Sequence, residues 1–200
     1  MNKLLWILFL AVSMAQGQTQ KSNLKKAYFA GGCFWCVEAV FESLKGVEEA
    51  VSGYAGGNYA NPTYELVVQG RTGHAEAVEV IYNPQQISFK TLVTAFFESH
   101  DPTTLNQQGP DRGTQYRSIA FFSNAQERQD IESVMAQQAR KYKKPLVTEI
   151  KPMSLFYAAE GYHQDFEKKN PNNPYIRAVS VPRFEAFKAK RPDLLKKDSH

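Results

Sequence analysis

Hydrophobic spacing along the chain changes period several times, and each change marks an element. Ala27-Tyr28-Phe29-Ala30 is a short apolar run that reads as a buried strand, broken by Gly31-Gly32. Cys33, Val37, Val40, Phe41 and Leu44 then recur at helical spacing, with Gly46 as the stop. Val47 to Tyr54 reads as a second strand, closed by Gly56-Gly57. Residues 58–74 carry the breakers Asn61-Pro62, Gly70 and Gly73, with Tyr64 to Val68 as a short strand among them. Ala75 to Tyr82 alternates as a strand does and stops at Asn83-Pro84. Ser88 is placed to cap a helix over Phe89 to His100, with Leu92, Val93, Phe96 and Phe97 on its apolar face. A polar loop over 101–114 leads to a strand from Tyr116 to Phe122. Ser123 or Asn124 then caps a long helix reaching about Lys143, and Leu146 to Ile150 is the final strand. Residues 152–200 read as a proline-punctuated wrap with short helices.

The order β-α-β-β-α-β predicts an α+β fold. Its core is a ferredoxin-like split β-α-β unit, a two-layer sandwich of mainly antiparallel sheet with helices on one face. An additional C-terminal helix and a long irregular tail follow. No internal repeat is present, and Asn170-Pro171-Asn172-Asn173-Pro174 is the one low-complexity stretch. The expected division is a signal peptide over 1–17, a linker over 18–25, one catalytic domain over 26–185 and a polar basic tail over 186–200.

Two hundred residues are enough for one domain with a real core. The 24 basic and 20 acidic residues leave a net charge of +4, too weak to argue for nucleic acid. The densest basic cluster, Lys188 to Lys197, is interrupted by Pro192, Asp193 and two leucines and reads as a solvated tail. The first residues differ. Lys3 precedes the apolar run Leu4 to Val12, and small residues follow at Ser13, Ala15 and Gly17. That is the build of a cleaved export leader, with cleavage after Ala15 or Gly17. The run is short for a membrane span, which takes about 20 residues, and no cysteine is there to carry a lipid. The expectation is an exported bacterial protein, periplasmic or secreted, with no stable membrane association once the leader is removed.

Cys33 and Cys36 are the only cysteines, within Gly31-Gly32-Cys33-Phe34-Trp35-Cys36. A scaffolding disulfide gains by closing a long loop, and this pair closes almost none. Such a pair suits redox chemistry. A zinc site would need four ligands, and the histidines (His74, His100, His163, His200) are scattered. Cys33 stands where a Gly-Gly turn enters a helix, so its thiolate is expected to be favoured by the helix N-terminus. Cys36, one turn on, reaches the same sulfur. Phe34 and Trp35 offer an apolar surface, and Glu76, on an apolar strand, is a candidate acid if buried, or an exposed residue like Glu79 if not.

Gly32-Cys33-Phe34-Trp35 at a helix start resembles the signature of peptide methionine sulfoxide reductase A. Five further segments agree in order. They are Gly53-Tyr54-Ala55-Gly56-Gly57, Asn61-Pro62-Thr63-Tyr64, Gly73-His74-Ala75-Glu76, His100-Asp101-Pro102 with Asp111 to Ser118, and Ala159-Glu160-Gly161-Tyr162-His163-Gln164. The resemblance spans about residues 26 to 185. It implies that Cys33 is the nucleophile and that Phe34 and Trp35 hold the methyl group on sulfur. It implies that Glu76 protonates the sulfoxide oxygen, that Tyr64 and Tyr116 bind that oxygen, and that Asp111 lines the site. His163 matches a family position too, with a structural role expected.

The same resemblance implies reduction of methionine S-sulfoxide, free or within proteins, through a Cys33 sulfenic acid. Many relatives have glycine at the position of Cys36 and a resolving cysteine in a distal tail. This tail has none, so Cys36 is expected to resolve the sulfenic acid as a Cys33–Cys36 disulfide, with a thioredoxin-like dithiol as reductant. No cofactor or metal is implied, and the protein is expected to be a monomer. A thiol–disulfide oxidoreductase is the enzymatic alternative, and a sulfoxide- or peptide-binding module the non-enzymatic one.

Overall fold

The computed structural model describes residues 23–197; the leader and most of the linker expected from the sequence lie outside the described residues. β1 (Lys25–Gly31) alternates as its sequence demands: Ala27 and Phe29 face one side of the sheet, Tyr28 and Ala30 the other. α1 (Phe34–Glu42) follows, then β2 (Val47–Ala55), α2 (Tyr64–Val68), β3 (Ala75–Tyr82) and α3 (Phe89–Glu98). A small hairpin, β4 (Gln107–Gln108) with β5 (Asp111–Arg112), sits in the loop that precedes β6 (Ser118–Phe122). α4 (Ala125–Ala139), β7 (Glu149–Pro152), β8 (Phe156–Ala158), α5 (Phe166–Lys169) and α6 (Val181–Lys190) complete the order.

The main sheet runs β7-β6-β1-β3-β2-β8. β3 lies between β1 and β2 and is antiparallel to both, so the two strands joined through α1 are separated by one strand. β6 is antiparallel to β1, β8 is antiparallel to β2, and β7 alone pairs in parallel, with β6. The fold is thus α+β with a mainly antiparallel sheet.

Most of the core fills one side of this sheet. Phe29 stacks on Phe41 of α1 and on Phe96 of α3, each with ring centroids 5.0 Å apart. That stack ties the central strand to both helices, and each fully buried ring contributes roughly 1.5–3 kcal/mol. Ser88 caps α3 by accepting the Thr91 N–H, and Asn124 caps α4 by accepting the Glu127 N–H.

Several expectations are corrected. Residues 64–68 form a helix rather than a strand. The Glu160 carboxylate accepts the Tyr64 N–H at 3.0 Å at the helix start, and Val67 N–H closes onto Thr63 O at 3.0 Å; tertiary capping outweighs the strand preference of the two valines. The strand expected from Tyr116 begins at Ser118, because Thr114–Tyr116 coils into a 3-10 turn. Arg117 fastens that turn through Thr114 O at 2.7 Å and Gly73 O at 2.9 Å. The strand expected at 146–150 forms at Glu149–Pro152, and α4 stops at Ala139, short of Lys143.

β8 was not expected within the wrap. It seats against Gly53, where a Cβ would stand 2.3 Å from the Phe156 ring. The boundary expected at 185/186 falls inside α6. Phe187 is buried, and Leu195 pairs with Leu44, so the folded domain continues past the predicted start of the polar tail. The lysines there keep their charged ends outward while the apolar positions pack.

Candidate active site

Gly31-Gly32 ends β1 and turns the chain into α1. Gly32 has φ +90°, and a Cβ there would stand 2.6 Å from the side chain of Gln108, so only glycine fits both the turn and the contact. Cys33 is therefore delivered to the N-cap of α1, with Phe34, Trp35 and Cys36 on the first turn.

Cys33, Phe34, Trp35, Tyr64, Glu76, Asp111, Tyr116, Asn173 and Tyr175 line one cavity of about 320 Å³, near the small end of ligand pockets, about 300–1,000 Å³. Of the catalytic and substrate-binding residues expected from the sequence, Cys36 alone is not on its wall. Cys36 lies buried behind Cys33 and touches it. Both thiols are free. A larger cavity of about 470 Å³ lies across Asp111, lined among others by Ser99, His100, Tyr142, Arg183 and Phe187; it reaches neither cysteine.

Glu76 is 2 % exposed and lies opposite Tyr54 in the β2–β3 pairing. It shares the helix-facing side of β3 with Val78 and Val80, whereas Glu79 points the other way, to Lys26 and Tyr28. That resolves the choice left open by the sequence. Glu76 Oε2 accepts the Phe34 N–H at 3.0 Å, the first N–H of α1. Burial nevertheless dominates and, with Asp111 and Cys36 nearby, lifts its carboxyl to about 8. It is protonated at neutral pH.

The aromatic walls are fixed from behind. Trp35 stacks on Phe166 at 3.8 Å and donates its indole N–H to His163 Nδ1 at 3.2 Å. His163, lowered by burial, is thus held neutral with its proton on Nε2. Phe34 packs between Tyr54, Tyr64 and His163. Glu160 places Tyr64 through the backbone bond at 3.0 Å and receives the Tyr54 hydroxyl at 2.7 Å. His74, in the segment leading to Glu76, accepts the Gly57 N–H at 3.1 Å and reaches Tyr59 O at 2.8 Å, which pins the loop before α2. Burial lifts the Tyr64 hydroxyl to about 12 and raises Tyr116 further, so both remain donors.

The thiols depart from expectation. The Cys33 sulfur makes no capping hydrogen bond at the helix start, where Glu76 takes the Phe34 N–H. Burial pushes its thiol well up, and Cys36 and Glu76 add to that. Cys36 is held at about 6, first by the hydrogen bond with Cys33 and, against burial, by Arg183, Ser180 and Tyr175. The reduced pair thus carries its charge on Cys36.

Three residues of the site were not read from the sequence: Asn173, on the cavity wall, Tyr175 and Arg183. Tyr175 donates to Asp111 Oδ2 at 2.6 Å and stands 4.0 Å from Cys36 Sγ; the charge of Arg183, on α6, acts on Cys36. Aromatic and basic residues in an irregular tail carry no local signal for such a role. Among the described residues, Glu38, Glu42 and Asp165 are the group able to approach a common cation. They lie near Trp35 but apart from the thiols, and Glu38 already accepts from Ser52 Oγ and the Asp165 N–H.

Comparison with known proteins identifies the family. A family model described as peptide methionine sulfoxide reductase matches residues 25–194. Peptide methionine sulfoxide reductase MsrA 1 of Rhodopirellula baltica is 47% identical over 170 residues, covering 85% of this chain and 88% of the relative. The structure of methionine sulfoxide reductase A of Corynebacterium diphtheriae superposes with a TM-score of 0.72 at 37% identity, over 76% of this chain and 77% of that one. Reduced Mxr1 of Saccharomyces cerevisiae gives a TM-score of 0.70 at 35% identity, over 75% and 87%; that yeast protein also has a structure in complex with Trx2. The chain belongs to the peptide methionine sulfoxide reductase A family.

Proposed function

We propose that this chain reduces methionine S-sulfoxide, free and within proteins, with Cys33 as nucleophile and Glu76 as acid. One observation carries the reading: a buried, protonated carboxyl and a thiol face one small cavity, with two tyrosine hydroxyls and an aromatic wall. The sulfoxide methyl group packs against Phe34 and Trp35. Its oxygen receives hydrogen bonds from Tyr64 and Tyr116 and the proton of Glu76, which makes sulfur electrophilic. Asp111 lines the site and receives Tyr175. Cys33 sulfur attacks, the S–O bond to methionine breaks, and oxygen stays on Cys33 as a sulfenic acid. Cys36 then displaces that oxygen as water and leaves a Cys33–Cys36 disulfide, which a thioredoxin-like dithiol reduces. The yeast relative's complex with Trx2 supports that last step.

The composition of residues 1–17 supports export to a bacterial periplasm or beyond, where a monomer draws electrons from a thioredoxin-like partner outside the cytoplasm. No helix among the described residues is long and apolar enough to cross a membrane. An N-terminus at Gln16 or Gln18 on protein recovered from the periplasm checks the export reading; an intact Met1 there speaks against cleavage.

The test of the activity is a chiral assay on racemic methionine sulfoxide with dithiothreitol. Consumption of the S epimer alone, lost in Cys33→Ser, is the expected result. Insulin reduction with no turnover of either epimer would move the protein to thiol–disulfide exchange.

A further inference from the structure

Cys36 stands off the cavity wall, yet it is the better supported of the two thiols. It is buried on the first turn of α1 in contact with Cys33, Ser180 touches it, and the Tyr175 hydroxyl lies 4.0 Å from its sulfur. Arg183 comes in from α6 and is held by its Nε–H, which donates to Ser99 O at 2.6 Å. Its Nη1 packs beneath the turn that precedes Cys33, 3.4 Å from where a Cβ on Gly32 would be. Its Nη2 is buried and has no hydrogen-bond partner among the described residues. A buried charged donor without an acceptor is costly, and a thiolate within its field offsets part of that cost.

The other titratable groups around the pair do not supply the charge. Glu76 from β3 is protonated at neutral pH, and His100 at the end of α3 is lowered by burial to about 3 and is neutral. Asp111 from β5 is half-buried and receives Tyr175. The field of Arg183 acts on Cys36, and Cys33 is left as a thiol next to it.

We propose that Cys36 takes part in the first chemical step as well as the second, accepting the proton of Cys33 as that sulfur attacks, and that Arg183 is the positioning residue that holds it ready. The inference rests on Cys33 as nucleophile. The atoms balance across both steps. In the first, the Cys33 S–H proton passes to the Cys36 thiolate, Cys33 sulfur takes the sulfoxide oxygen, and that oxygen takes the proton of Glu76. Methionine leaves, Cys33 is oxidised to the sulfenic acid, and the negative charge now sits on Glu76. In the second, Cys36 sulfur bonds to Cys33 sulfur, the S–O bond breaks, and the oxygen leaves as water with the proton that Cys36 had received. Cys36 is oxidised and Cys33 reduced to the disulfide level, and Glu76 regains a proton from solvent.

The experiment is rapid mixing of enzyme with methionine S-sulfoxide and no reductant, following the first equivalent of methionine across pH. In Cys36→Ala the equivalent still forms, but its rate falls about 10²-fold near neutrality, as for loss of a general base, and climbs with pH only up to about 8, where Glu76 ionises. A burst at the wild-type rate and with the wild-type pH profile would overturn the proposal and leave Cys36 with resolution alone. Ultraviolet titration of the thiolate in Arg183→Met is expected to move up by about one unit or more, with partial return in Arg183→Lys. An unchanged titration in a folded Arg183→Met would equally overturn the role of Arg183. If that variant does not fold, the Cys36→Ala burst and the Arg183→Lys titration decide. Wild-type enzyme that makes no methionine at all would instead remove the reductase reading itself, and this inference with it.

Discussion

Two buried glutamates, Glu76 from β3 and Glu38 within α1, meet the first turns of that helix, and only one of them faces the cavity. Glu76 sits on the catalytic cavity, with Oε2 held by one backbone N–H. Glu38 lies under Trp35, with one oxygen receiving the Ser52 hydroxyl and the other the Asp165 N–H. Burial raises both, Glu76 to about 8 and Glu38 to about 7. The shifted carboxyl therefore does not mark function by itself. Contact with the cavity does: Glu76 has a proton and a place to deliver it, whereas Glu38 has its proton enclosed by partners that fasten α5 and β2 to α1.

The largest expected effect separates the two directly. Glu76→Gln keeps the shape and the acceptor for Phe34 N–H but removes the proton. Formation of the first methionine is expected to fall by about 10²–10⁴-fold, read by rapid quench. In the wild type the same step is expected to fade as pH rises through about 8, where Glu76 ionises; in Glu76→Gln that fall is absent. Glu38→Gln is expected to turn over within about twofold of wild type. A Glu38→Gln as inactive as Glu76→Gln would erase the contrast.

Stability sharpens it next. Each raised carboxyl holds its proton in the folded chain at pH values where the unfolded chain has released it. For Glu38 that window runs from about 4.5 to about 7, and stability falls as pH rises through it, levelling above. The slope is at most about 1.4 kcal/mol per pH unit for one group. Glu38→Gln is expected to flatten it by roughly 1–3 kcal/mol over the window, read by denaturant titration at several pH values. The Ser52 hydroxyl can turn to accept from the new amide, so the substitution fits the site.

The parts of this site that were legible in the sequence are those where the chemistry is local. Gly31-Gly32-Cys33-Phe34-Trp35-Cys36 spells its own turn, helix start and thiol pair, and the caps Ser88 and Asn124 act on residues three positions away. Glu76 was legible as a residue but not as an acid, because alternation alone did not say which face of β3 would be covered. α2 was misread because its decisive contact, Glu160 on Tyr64 N–H, comes from 96 residues away. The same holds for Tyr175, 139 residues from Cys36, and for Arg183, which no local pattern ties to a thiol. The expected thiolate on Cys33 failed for a related reason: its sulfur makes no capping hydrogen bond, and burial raises the thiol, with Cys36 and a strand residue, Glu76, adding to the effect.

On the oxygen side of the cavity, Tyr64 and Tyr116 are two donors on separate elements, one from α2 and one from the 3-10 turn. Removing either hydroxyl leaves the other in place. Tyr64→Phe and Tyr116→Phe are each expected to cost about tenfold in the first step and about 10²-fold together, with fold and thiolate titration unchanged. A double variant no slower than one single would show that only one hydroxyl meets the oxygen.

Tyr175→Phe is the finest cut. Its hydroxyl donates to Asp111 at 2.6 Å, so the 4.0 Å approach to Cys36 leaves the sulfur with a weak, secondary contact. Arg183 and the Cys33 thiol still support the Cys36 thiolate without it. The variant is therefore expected to slow disulfide formation only about threefold, at the weak end of a single polar contact, while Asp111 loses its donor. Glu76, which does not touch Tyr175, should keep its fall near pH 8 in the first step. Stopped-flow measurement of disulfide formation after one turnover reads the first effect, and the pH profile of methionine release reads the second. A loss in the first step comparable to Glu76→Gln would mean that Tyr175 meets the sulfoxide itself and belongs to the oxygen side of the cavity.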